Sequence, residues 1–140
     1  PDGWEVPKEE FWIDNGHSTE RCKNTGYPME TILSSFAEII NLSDYILAHN
    51  INFDYNVLGS EMIRYGKKAD RKPRICTMMS TIDFCNLPGN YGRPKFPKLE
   101  ELHQILFNSK FDGAHDALND VMATKKCFLE LVKMQVIKID

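Results

Sequence analysis

No apolar run in these 140 residues is long enough to span a bilayer, which excludes a chain built around transmembrane helices. No segment is low in complexity, so an ordered domain is expected, and the length suits one domain able to bury a core. Glycine never gathers into the strand-to-helix turn that grips a dinucleotide pyrophosphate, which removes a Rossmann domain. The four cysteines, Cys22, Cys76, Cys85 and Cys127, form no CxxC pair and read as free thiols; a zinc site would have to recruit His17 or His103. The polar, acidic start does not resemble a secretory signal, so a cytoplasmic protein is expected. One further absence bears on chemistry: no Asp-x-Glu pair occurs anywhere.

What is present is unevenly charged. The formal charge of −3 hides an acidic front, residues 1–63, whose only cations are Lys8, Arg21 and Lys23. From Arg64 to Lys98 nine cations face only Asp70 and Asp83. Such a basic stretch is suited to tracking a phosphate backbone, and equally to forming a solvated loop surface.

Hydrophobic spacing outlines alternating strands and helices, hence an α/β class. Residues 1–27, punctuated by proline, glycine and asparagine, read mostly as loop. Pro28 suits a first helical turn, and Ile32, Leu33, Phe36, Ile39 and Ile40 predict an amphipathic helix over residues 28–41. Tyr45–Ala48 predicts a buried strand, with Asn50 capping a helix from Phe53 to Tyr65 that Gly66 ends. Arg74–Thr77 predicts a second short strand, residues 78–86 a helix, and Leu87–Pro97 a loop. Leu99, Leu102, Ile105 and Leu106 mark another helix. The last helix, Asp116–Met134, is expected to bury Leu118, Val121, Met122, Phe128, Leu131 and Val132. Two short strands are few for five helices to cover.

Two motifs carry the chemistry. In His49-Asn50-Ile51-Asn52-Phe53-Asp54, Asp54 falls in the first turn of a helix that follows a strand, the edge at which α/β sheets bind ligands. A carboxylate there suits Mg²⁺ or Mn²⁺, or merely complements the helix dipole. In His115-Asp116-Ala117-Leu118-Asn119-Asp120, the histidine and final aspartate would diverge by roughly 140° on one straight helix at about 100° per residue. They converge only if His115 lies in the preceding loop, which the Asp112-Gly113 turn and a capping Asp116 favour. His115 could then serve as general base while Asp120 holds a metal; the competing picture is a surface histidine beside a cap.

Together the motifs resemble the second and third motifs of the DEDDh 3′–5′ exonucleases, a superfamily that includes the proofreading subunit of bacterial DNA polymerase III, ribonuclease T and oligoribonuclease. His49, Asn50, Phe53 and Asp54 match one motif; His115, Ala117 and Asp120 match the other. Gly16–Glu20 with Gly26 and Pro28, Arg64-Tyr65-Gly66, and Lys98–Leu102 resemble the family's intervening segments. The resemblance implies a ribonuclease H-like three-layer fold and two Mg²⁺ or Mn²⁺ ions. Asp54 and Asp120 would be metal ligands and His115 the catalytic base. It also implies a single-stranded DNA or RNA 3′ end as substrate, nucleoside 5′-monophosphates as product, and a DNA polymerase as one conceivable partner. His49, Asn50 and Phe53 become substrate-positioning candidates, although the core competes for Phe53.

The departure from the family pattern is its first motif, a strand bearing Asp-x-Glu, which would precede Pro1 together with about three strands. Residues 1–140 are therefore expected to be the C-terminal portion of one exonuclease domain, inactive alone. The rival is a non-catalytic nucleic-acid-binding or structural domain of the same fold. A phosphohydrolase of the HD type, suggested by His115-Asp116, would need a later metal-binding aspartate, and only Asp140 follows Asp120.

Overall fold

The computed structural model describes residues 5–14, 16–111 and 116–139. Two short parallel strands form its sheet: β1 (Ile46–Ala48) and β2 (Arg74–Cys76) pair in the register Ile46 with Arg74, Leu47 with Ile75 and Ala48 with Cys76. Their crossover contains a helix, Ile51–Arg64, giving a βαβ unit that buries Ile51 and Met62. The chain order adds helices on both sides of that unit. We number them α1 (Glu10–Asp14), α2 (Thr19–Thr25), α3 (Met29–Leu42), α4 (Ile51–Arg64), α5 (Thr77–Ser80), α6 (Ile82–Cys85), α7 (Leu99–Phe107) and α8 (Ala117–Lys133).

Where the sequence predicts loop over residues 1–27, α1 and α2 form. The Ser18 side chain accepts the Arg21 N–H and so caps α2, and Gly16 at φ 68° turns the chain before it. The helix predicted over residues 78–86 is split into α5 and α6. Thr81 leaves helical geometry at φ −120°, and its buried hydroxyl donates back to the Thr77 carbonyl at 2.7 Å.

The core lies between α7 and α8, where Leu102, Cys127 and Leu131 are fully buried and Ile137 closes the end. Ile75 of β2 and Phe84 of α6 pack against this cluster. On α8 the expected inward face holds in the second half, where Leu131 is buried and Phe128 and Val132 pack against the core, and is corrected in the first. Ala123, Thr124, Cys127 and Leu131 are buried, whereas Leu118, Val121 and Met122 are exposed. The cause is that α8 carries two apolar stripes, and spacing alone does not say which one α7 will cover. On α3, similarly, Leu33 and Ile40 are buried while Ile32, Phe36 and Ile39 retain exposure. Among the described residues no helix is long and apolar enough to cross a membrane.

Part of the basic stretch is paired within the fold. Lys67 meets Glu30, Lys72 meets Asp70, Lys95 meets Glu101, Arg64 meets Glu61, and Arg74 stacks 4.5 Å above the Tyr55 ring. Four of the nine cations are thus ion-paired within the fold.

Candidate active site

A cleft of about 640 Å³ opens where β1 ends and the N-termini of α4 and α8 approach. Its lining includes Leu47, Ala48, His49 and Asp54 from the β1–α4 junction, Leu99 of α7, and Ala117, Asp120, Val121, Thr124 and Lys125 of α8. Asp54 and Asp120, some 66 positions apart in sequence, therefore share one cavity.

Each carboxylate is placed by its helix. Asp54 lies in the first turn of α4, directly after the strand. Although the residue is exposed overall, the cleft wall withdraws water from its carboxyl and pushes its pKa up, against the lowering effect of its own backbone N–H. Asp120 stands in the first turn of α8. It heads the stripe that continues through Thr124, Cys127 and Leu131, so the same helical spacing that buries the core brings this carboxylate to the cleft. Asp116, just before α8, accepts the N–H groups of Leu118 and Asn119, each at 3.1 Å. It is a cap and not a lining residue.

His49 is held on the cleft wall by two bonds. Its Nδ1 lies 2.9 Å from Thr77 Oγ1, and its Nε2 2.9 Å from the Pro97 carbonyl. A carbonyl only accepts, so Nε2 carries the proton and Nδ1 takes the threonine hydroxyl. Burial lowers the His49 pKa, with the Pro97 bond opposing. With both nitrogens engaged, this imidazole is a brace for the cleft.

Asn50 corrects a second expectation. It occupies the residue before α4 in the left-handed region, at φ 72° and ψ 49°, and its side chain makes no capping bond. Asparagine tolerates that conformation, and the Asn50 carbonyl accepts the Phe53 N–H at 3.0 Å. The chain thereby turns sharply from β1 into α4. Phe53 is 65% exposed, so the core that competes for it in the sequence does not hold it. His115 lies outside the described residues.

The donor chemistry is that of hard oxygen ligands. Two carboxylates sharing one cleft are the donor type that a hard divalent cation takes, while among the described residues the lining imidazole, His49, is already engaged. Among the described residues no three His, Cys, Asp or Glu side chains come together as a metal-binding group. Cys22, Cys76, Cys85 and Cys127 are free thiols. Lys125, on the cleft wall, is a member of the lining that the sequence motifs did not single out. Spacing gave no signal for it, because five positions on one helix place it roughly 140° from Asp120 at about 100° per residue.

The exonuclease (RNase T) family model matches residues 14–128, more than half of the chain. No curated protein matches it.

Proposed function

The chain belongs to this exonuclease family, within the DEDD superfamily, and from that premise we propose that it is the metal-binding and substrate-binding portion of a 3′–5′ exonuclease domain of ribonuclease H-like fold. The observation that carries the reading is the convergence of Asp54 and Asp120 on one cleft from two separate helices. Family membership supports a nucleic-acid substrate. The motif resemblance supports a single-stranded DNA or RNA 3′ end.

In this reading Asp54 and Asp120 hold a divalent cation, Mg²⁺ or Mn²⁺, which when bound offsets the negative charge that gathers on the phosphate being cleaved. His115 takes a proton from the attacking water. Phe53, exposed beside Asp54, offers a ring on which a terminal base can stack, and Asn50, exposed at the turn, can donate to the sugar or phosphate. His49 acts through position: its bonds to Thr77 and Pro97 fix the strand end from which Asn50 and Asp54 project.

Two carboxylates are half of the set that a two-ion phosphodiesterase uses, and the sequence contains no Asp-x-Glu to complete it. We infer negligible hydrolysis by these 140 residues alone. The same shortage favours a second reading, a non-catalytic nucleic-acid-binding domain on this fold.

The test begins with the intact mass and N-terminal sequence of the natural gene product, followed by its incubation with Mn²⁺ and an oligonucleotide labelled at its 5′ end. Stepwise shortening from the 3′ end, with release of 5′-monophosphates, supports the exonuclease. Retention of the label on an uncleaved but bound strand supports the binding domain. Cleavage from the 5′ end, or undiminished cleavage by Asp54→Asn and Asp120→Asn variants, overturns the site.

A further inference from the structure

We propose that a second cleft, on the flank of α8 away from Asp120, is a subsite for a backbone phosphate of a single nucleic-acid strand. Its volume is about 510 Å³, and its polar lining includes His103, Ser109, Lys110, Lys125 and Lys126, with Phe111 beside them. At about 100° per residue, Asp120 and Thr124 face the first cleft while Met122 and Lys126 face the second. Lys125 lies between and lines both.

The detail that points to an anion is how Lys126 is held. Its Nζ sits 4.0 Å above the Phe107 ring and 3.5 Å from His103 Nε2. His103 is 2% exposed, and its Nδ1–H donates to the Ser109 carbonyl at 2.7 Å, which turns the Nε2 lone pair toward the ammonium. A ring face and an imidazole lone pair orient the cation without cancelling its charge. Lys67, Lys72 and Lys95 are each neutralised by a carboxylate, whereas among the described residues Lys110, Lys125 and Lys126 meet none within ion-pair distance. Three ammonium groups that meet no carboxylate among the described residues, set around a concave surface, suit a phosphate, for which lysine serves as a point charge.

The strand as occupant rests on the exonuclease reading. Because Lys125 borders both clefts, a chain whose end lies at Asp54 and Asp120 can pass over it and bring an earlier phosphate to Lys110 and Lys126. Contacts of this kind position a strand without reading its sequence.

The experiment compares the 140-residue chain with Lys110→Gln and Lys126→Gln variants. Both lysines are exposed, and urea midpoints check that folding is kept. Fluorescence anisotropy with a labelled oligothymidylate is expected to show about 3- to 10-fold weaker binding per variant, and a salt dependence shallower by about 0.7 in slope for each lost phosphate contact. Oligonucleotide should also shift the His103 ring resonances. Variants that bind as tightly as the parent, no binding by the parent up to about millimolar strand (the non-specific range starts well below that), or His103 shifts caused by inorganic phosphate and not by the strand would each overturn the subsite. Mn²⁺ broadening at Asp54 and Asp120 is recorded separately. Its presence with unaffected variants removes the subsite and leaves the exonuclease reading. Its absence with weakened variants removes that reading and leaves the subsite.

Discussion

Thr77 Oγ1 and His49 Nδ1 meet at 2.9 Å, joining the residue that follows β1 to the residue that follows β2. Thr77 is fully buried, and the same imidazole reaches the Pro97 carbonyl just ahead of α7. One side chain thus ties the end of β1 to the end of β2 and to the chain ahead of α7, and it does so at the end of a sheet only two strands wide among the described residues.

Replacing His49 by alanine would leave the Pro97 carbonyl short of a partner and the Thr77 hydroxyl with only its long 3.5 Å contact to the Ala48 carbonyl. A loss of about 1–3 kcal/mol is expected, from the usual cost of burying an unpaired polar group. Urea unfolding of the variant measures it. The pH dependence has a definite sign. Because burial lowers the folded-state pKa of His49, its contribution is full above the unfolded value near 6.5 and is lost as pH falls through that value toward the lower folded one. The parent should therefore lose stability on acidification over this window more steeply than His49→Gln. Equal slopes would remove His49 as the source.

Cation binding at Asp54 and Asp120 should likewise depend on pH. The carboxyl must lose its proton to bind a metal, and Asp54 holds that proton more firmly than an ordinary aspartate does. On acidification, Mn²⁺ affinity should therefore start to fall at a higher pH than a site made of unperturbed aspartates would show. Asp54→Asn should flatten the profile and weaken binding by at least about tenfold, comparable to other losses of a metal-site group. Calorimetric titration at several pH values provides the check, and an unchanged profile in Asp54→Asn would exclude this carboxyl as a ligand.

The parts legible in sequence were those governed by local rules. Pro28, the 28–41 periodicity and Gly66 locate α3 and the end of α4 to within a residue or two, because turn and helix chemistry act over a few neighbours. The parallel strands follow from short apolar runs separated by a helix, and the Asp54 and Asp120 positions follow from their motifs. Tertiary choices were not legible. Leu118 and Cys127 are both apolar candidates on α8, and only the neighbours of that helix decide that Cys127 is buried and Leu118 exposed. Charge counting pointed to residues 64–98, yet folding pairs four of those cations. It leaves Lys110, Lys125 and Lys126 around a cavity that no linear pattern marks.

At the start of α8, Asp116 satisfies two N–H groups that the helix itself cannot. Asp116→Ala should cost about 1 kcal/mol by loss of this cap. Asp116→Asn or Asp116→Ser should recover most of it, since either side chain accepts the same bonds. Because Asp120 stands in the first turn of α8, fraying in the alanine variant should also weaken Mn²⁺ binding, although Asp116 itself lies off the cleft. Stability measured by urea and affinity measured by calorimetry should move together across the three variants. A loss of affinity in Asp116→Asn at unchanged stability would instead make Asp116 a ligand.

The cysteines provide a prediction about core integrity. Burial pushes the Cys127 thiol up to about 11, against a lowering influence from Lys126, while Cys22 is exposed on α2. Thiolate is the reactive form, so at about pH 8 iodoacetamide should label Cys22 readily and leave Cys127 unmodified in the folded chain. Mass spectrometry of digested protein resolves the two sites. Adding urea should bring Cys127 to the rate of Cys22 at the unfolding midpoint, since its protection comes from packing against Leu102 and Leu131. The linked stability has the opposite sign to that of His49. With a folded pKa above the unfolded value of 9.0, the neutral thiol contributes fully below that value and its contribution is lost as pH rises through about 11. Alkaline unfolding should therefore be milder in Cys127→Ala, whose cavity lowers stability at every pH but removes the ionising group. If Cys127 were labelled as fast as Cys22 without denaturant, the α7–α8 core would have to open on the timescale of the reaction.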